Sequence, residues 1–109
     1  MYESLEENND LSIIGHGENV VVQVHDPGWA SCRALKRVVN SLKSEYAGKI
    51  RFVFANLNTP EGRWFAEFHN ASRVTLIFFK PDGTKISSIN GEQEPEYLRS
   101  VFNSLYKFD

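Results

Sequence analysis

The sequence predicts an α/β fold, with a mixed central sheet of about four strands flanked by helices on both faces. Three observations carry this reading. The β-branched run Val20-Val21-Val22-Gln23-Val24 fits a strand covered on both faces, as in the middle of a sheet. Leu35, Val38, Val39, Leu42 and Tyr46 then follow helical spacing, with Arg33, Lys36, Arg37 and Lys43 on the other faces. Later, Val74 to Phe79, the turn Pro81-Asp82-Gly83 and the alternating stretch Lys85 to Ile89 read as a β-hairpin. A strand–helix–strand unit followed by a hairpin gives a sheet with both parallel and antiparallel pairs.

Each element has a local reason. Tyr2 to Ile14 reads as a frayed first helix, stopped at Gly15-His16-Gly17, where glycine takes the left-handed turn. Asp26-Pro27-Gly28 is turn chemistry after the first strand. The next helix spans about Ser31 to Tyr46 and ends at Ala47-Gly48. Ile50 to Leu57 is the second strand, broken by Asn58-Thr59-Pro60, which caps a short helix from about Glu61. Trp64, Phe65 and Phe68 are expected on that helix's buried side. Pro95 suits the first position of a last helix, whose apolar stripe is Tyr97, Leu98, Val101, Phe102 and Leu105.

The 109 residues suffice for one domain with its own core, and residues 1–109 are read as a single domain with residues 1–10 frayed. Hydrophobic residues make up 41% and charged residues 24%, the balance of an ordinary globular protein. The net charge is −2 and no basic stripe is interleaved with aromatics, which argues against nucleic acid as partner. No apolar run is long enough to span a membrane, and the acidic opening is unlike a signal peptide. With one cysteine, no intrachain disulfide can form, which fits a reducing, cytoplasmic setting. An additional N-terminal segment would instead make a periplasmic or membrane-tethered location the expectation. No spacing among His16, His25, Cys32 and His69 matches a zinc site, so neither metal nor cofactor is expected.

The stretch Trp29-Ala30-Ser31-Cys32-Arg33-Ala34-Leu35-Lys36 follows the first strand and opens a basic amphipathic helix. Strand, short loop, cysteine and helix is the setting of a C-x-x-C redox motif. The chain from about Leu11 on resembles the thioredoxin-like family. Cys32-Arg33-Ala34-Leu35-Lys36 resembles the run from the second motif cysteine into the active-site helix. Val74 to Phe79 resembles the strand that the family begins with cis-Pro-Thr, and Lys80-Pro81-Asp82-Gly83 the hairpin turn after it. Gly91 matches a glycine common before the last helix. The family's extra first strand is not evident.

The departures fall on the chemistry. Trp29 stands where the attacking cysteine belongs, Val74 where the cis-proline belongs. Gln23 replaces an often-found buried aspartate, and Asn56 its lysine partner. An alignment with one deletion would instead match Trp29 to the tryptophan before the motif; the first cysteine is missing either way. Dithiol exchange needs an attacking thiolate and a second thiol to release the mixed disulfide. Cys32 lies at the resolving place, where a shielded thiol reacts slowly. A cis bond before a non-proline residue costs about 3–4 kcal/mol, so the Arg73–Val74 bond is expected to be trans. Neither Gln23 nor Asn56 titrates, so neither can carry a proton relay.

The leading reading is a redox-inactive thioredoxin-like module that binds a protein partner or peptide segment, as an adaptor or chaperone-like domain. Trp29, Ser31, Arg73 and Val74 are its candidate binding residues. The rival is a monothiol oxidoreductase or redox sensor, with Cys32 as its catalytic residue. A third reading is a spacer domain within a larger membrane-linked assembly. His25 near Cys32 suggests a thiol–imidazole pair, but no third group to orient the ring is visible in the sequence.

Overall fold

A computed structural model describes residues 8–108. A short 3-10 turn at Leu11–Ile13 precedes strand β1 (Val20–His25), helix α1 (Ala30–Leu42) and strand β2 (Arg51–Asn56). Helix α2 (Pro60–Phe68), strands β3 (Thr75–Phe79) and β4 (Lys85–Asn90), and helix α3 (Pro95–Tyr106) follow. The strands form one sheet in the order β2-β1-β3-β4. β1 runs parallel to β2 and antiparallel to β3, and β4 returns antiparallel to β3. This is the expected mixed four-stranded sheet.

Strand periodicity divides the core in two. Val21, Phe52, Phe54, Leu76 and Phe78 point to the face covered by Cys32, Leu35, Val39 and Leu42 of α1 and by Leu98 and Phe102 of α3. Val20, Val22, Val24, Val53, Ala55, Ile77 and Phe79 point to the other face, against Phe65 and Ala66 of α2. Leu11, Ile13 and Ile14 close that second layer. β1 is buried along its whole length, as its unbroken apolar run requires. The Tyr106 hydroxyl ties α3 to the sheet by donating to the Phe79 carbonyl at 3.0 Å.

Several local expectations need correction. The first helix is absent over residues 8–14, where only the 3-10 turn forms; residues 1–7 lie outside the described part. Asp10 caps the start of that turn, its carboxylate accepting from the Ser12 N–H at 3.1 Å. Helix α1 stops at Leu42, four residues before Tyr46. The Leu42 carbonyl still accepts from the Tyr46 N–H at 3.3 Å, so Tyr46 reaches the core from an irregular turn. The strands are also trimmed: Ile50 and Leu57 fall outside β2, and Val74 precedes β3.

The largest correction concerns α2. Phe65 is buried, but Trp64 is 62% and Phe68 68% exposed, their rings stacked on each other with centroids 5.1 Å apart. The cause is Gly62. A Cβ at Gly62 would collide with the backbone of Asn56. The helix therefore packs through Gly62, Phe65 and Ala66, and its opposite side carries Trp64 and Phe68. Tyr97, expected on the buried stripe of α3, is likewise 53% exposed.

Candidate functional site

The site is built at the end of β1. After His25, Asp26 starts a tight turn: its Oδ1 accepts from the Gly28 N–H at 3.0 Å and its carbonyl from the Trp29 N–H at 3.0 Å. The turn delivers Trp29 to the position just before α1, in extended backbone, with 48% of its surface exposed. The neighbouring strand connection brings Arg73 across it. The Arg73 guanidinium lies 4.2 Å from the indole ring centre, a cation–π contact, and its Nη1 is 3.6 Å from Asp26 Oδ2. Arg33, on the first turn of α1, donates to the Pro27 carbonyl at 2.9 Å and so braces the same loop.

Val74 sits one residue beyond Arg73 and is buried. No described peptide bond is cis, so the Arg73–Val74 bond is trans. Val74 instead takes φ +65°, the left-handed region, which a β-branched residue adopts only against steric resistance. Its backbone is tied on both sides. The Val74 N–H donates to the Val24 carbonyl at 3.0 Å, and the Val74 carbonyl accepts from Gly91 at 2.7 Å. The Arg73 carbonyl accepts from the Asn90 side-chain amide at 3.2 Å. That same nitrogen donates to Thr75 Oγ1 at 2.8 Å and lies 3.1 Å from Ser72 Oγ.

Cys32 lies beneath this surface rather than on it. It has no solvent exposure, and its Sγ lies 3.9 Å from the Val24 carbonyl. Gln23, buried in β1, donates its amide to the Cys32 carbonyl at 3.0 Å and approaches His25 Nδ1 at 3.3 Å. An amide nitrogen only donates, so Nδ1 accepts and the ring proton belongs on Nε2. His25, the last residue of β1, is buried and packs edge-on to Phe54 at 5.7 Å. Its Nδ1 meets the Gln23 amide, and the Cys32 thiol lies against the Val24 carbonyl. Gln23 Oε1 has no hydrogen-bond partner among the described residues. Asn56 serves the backbone, since its Oδ1 accepts from Asn58 at 2.8 Å and its carbonyl from Thr59, setting the turn into α2.

Of the residues singled out in the sequence, Trp29 and Arg73 meet face to face, Val74 adjoins them from below, and Ser31 lies half-buried in the first turn of α1. Two participants were missed. Asp26 reads in the sequence as a turn former only, and Asn90 lies just past the predicted edge strand; Arg73 and Thr75, which they meet, lie far off in the chain, where no local pattern points. A second concavity of about 610 Å³ lies between α2 and the 3-10 turn, lined by Leu11, Ile14, Trp64, Phe65, Phe68 and His69. Burial among the rings of Phe65, Phe68 and Phe79, and secondarily the charge of Lys85, push the His69 pKa below its ordinary value. Among the described residues, no cluster of His, Cys, Asp and Glu could hold a metal ion, and no helix is long and apolar enough to cross a membrane.

No family model matches the chain. Its sequence is 30% identical, over 82 residues, to chloroplastic thioredoxin M3 of Oryza sativa subsp. japonica. The match takes in 71% of this chain and 46% of the rice protein, so the chain spans about half the length of that relative. Its structure superposes on the crystal structure of the thioredoxin of Malassezia sympodialis (Mala s 13) with a TM-score of 0.72. That likeness covers 87% of this chain and 83% of the fungal one at 18% identity, a likeness of fold. The sequence match to a thioredoxin, the shared sheet and helix arrangement, and the strand–loop–cysteine–helix site converge: the chain belongs to the thioredoxin-like family, as a divergent member with one cysteine and with valine in place of the cis-proline.

Proposed function

We propose that the chain is a redox-inactive thioredoxin-like domain that binds a protein partner or peptide segment, in the manner of an adaptor or chaperone-like module. The observation that carries this reading is the position of Cys32: it is the single sulfhydryl of the chain, wholly buried, with Trp29 three residues earlier on the surface. Thiol–disulfide exchange requires a thiolate that reaches a disulfide and a second thiol that releases the product. A buried lone thiol meets neither requirement, and Gln23 offers no titratable group beneath it. The two relatives named above are thioredoxins, but the redox activity that name denotes depends on a cysteine pair this chain lacks.

What remains at the site is a surface of the kind that anchors partners, an exposed indole with a guanidinium over its ring. Trp29, Ser31, Arg73 and Val74 form the contact surface in this reading, with Cys32 as internal packing. The whole chain acts as one domain, in a reducing, cytoplasmic setting that suits an unpaired thiol.

The test is thiol chemistry in the native state. Cys32 labels with a disulfide reagent only when the protein is unfolded, at every pH from about 6 to about 9, the span over which a free thiol titrates. The protein gives no turnover in insulin reduction. Rapid native labelling that disappears in Cys32→Ser, or catalytic reduction of insulin, establishes the monothiol rival instead. Trp29→Ala, with unchanged circular dichroism and melting, abolishes capture of the native-host partner; undiminished capture places the contact surface elsewhere.

A further inference from the structure

We propose that the partner segment bound at this surface presents the side-chain carboxylate of an aspartate or glutamate, which Arg73 takes as a two-pronged hydrogen-bonded pair in place of its looser contact with Asp26. This rests on the reading of the surface as a partner-binding site and specifies what it recognises.

The first ground is what the backbone cannot offer. An extended peptide can be held by main-chain pairing only where main-chain groups are open. Here the Val74 N–H is bonded to Val24, the Val74 carbonyl to Gly91, and the Arg73 carbonyl to the Asn90 amide. The Val74 N–H is thereby spent, and each carbonyl keeps only its second lone pair for an added strand. Selectivity therefore falls to side chains.

The second ground is the state of Arg73. Its guanidinium carbon lies over the Trp29 ring, 4.2 Å from the ring centre, so the indole holds the charge beside it before any partner arrives. Its acidic neighbour does not complete it. Asp26 Oδ1 is engaged by the Gly28 N–H at 3.0 Å, leaving only Oδ2 to face Arg73, and that contact is 3.6 Å. Charge-assisted N–H···O bonds close to about 2.7–2.9 Å, and a guanidinium favours a carboxylate with both oxygens available. Asp26 thus neutralises Arg73 at a distance without filling its fork. A carboxylate with two free oxygens fits better.

The third ground is the local sign of charge. The chain carries net charge −2, yet the turn at Trp29 holds two guanidiniums, Arg33 and Arg73, against one carboxylate, Asp26. The surface around Trp29 favours an anionic segment over a cationic one.

The experiment is an NMR titration of the ¹⁵N-labelled full chain with an acetylated, amidated heptapeptide bearing one central glutamate between valines, and with its glutamine twin. The glutamate peptide shifts the Trp29 indole N–H and the Arg73 Nε–H saturably and binds about fivefold or more tighter than the twin. Arg73→Gln brings the two peptides level, and Arg73→Lys, which keeps the charge but not the fork, does not restore the difference. Asp26→Asn, which keeps the cap on Gly28, tightens the glutamate peptide and leaves its twin unchanged. Equal affinity of the two peptides, no saturable shift at Trp29, or weaker glutamate binding in Asp26→Asn overturns the proposal. These results are independent of thiol chemistry. Insulin turnover alone defeats the redox-inactive reading and not the carboxylate preference; equal peptide affinities defeat the preference and leave that reading standing.

Discussion

Val74 gives the sharpest test of the site's geometry, through the order of two substitutions rather than the size of one. Its side chain is 6% exposed and packs in the α1–α3 layer, so Val74→Ala removes two buried methyl groups and costs about 2 kcal/mol, cavity included. Val74→Gly removes one more carbon. At an ordinary strand position glycine would then be the worse of the two, by roughly 0.5–1 kcal/mol of backbone entropy. At φ +65° the order reverses. An L-residue in the left-handed region carries about 1–2 kcal/mol of steric cost that glycine escapes. Val74→Gly is therefore more stable than Val74→Ala by about 1 kcal/mol, which for a domain of this size is a melting difference of about 4–8 °C. Urea unfolding followed by circular dichroism measures it, with the exposed Ser88 of β4 as control, where alanine should outrank glycine. If alanine equals or exceeds glycine at position 74, the left-handed turn is wrong. The covering of the Arg73 carbonyl by Asn90 then loses its geometric basis, and with it the reason for recognition by side chains.

Gly62→Ala destabilises the protein by about 2 kcal/mol in thermal or urea unfolding, because its Cβ meets the Asn56 backbone; helix propensity alone would give about 1 kcal/mol in the opposite direction. Phe65→Ala costs about 3–5 kcal/mol and Trp64→Ala less than about 1, since the first side chain is buried and the second lies outside the core. His69 binds a proton less readily folded than unfolded, so its contribution to stability is complete above its unfolded pKa and declines as pH falls through that value toward the folded one. Unfolding curves from pH 7.5 down to about 5.5 should thus show a greater loss in the parent than in His69→Asn; parallel losses would remove His69 as the cause.

The sheet was legible because its signals are local. Val20 to Val24 is a central strand for the same reason it is an unbroken apolar run, and Pro81-Asp82-Gly83 turns the chain wherever it occurs. Helix α2 was misread because periodicity says which residues share a side, not which side meets the sheet. Trp64 and Phe68 outweigh Gly62 and Ala66 in any measure of hydrophobicity. The sheet nevertheless accepts the smaller pair, because a backbone can approach Asn56 only where no Cβ intervenes. Val74 was misread as the first residue of β3 because β-branched composition favours a strand; what bends it lies 16 residues away, where Asn90 clamps Thr75 and the Arg73 carbonyl. The candidate site shows the same division. That Trp29 and Val74 replace a cysteine and a proline is visible in the sequence; how the replacements work together is not.

Those replacements are coupled through Arg73. The indole at position 29 provides the face on which the guanidinium lies, and the trans, left-handed turn at Val74 directs the neighbouring backbone inward to Val24 and Gly91. One change removes a reactive sulfur from the surface and supplies a platform. The other withdraws main-chain hydrogen-bonding groups and leaves a side-chain charge as the polar feature beside that platform. The proposal that this surface takes a charged side chain is measured by the double-mutant cycle of Trp29→Leu with Arg73→Gln. Coupling between the two positions in binding the glutamate peptide, of about 0.5 kcal/mol or more, is the expected result; strictly additive losses would mean that the indole and the guanidinium act as unrelated neighbours.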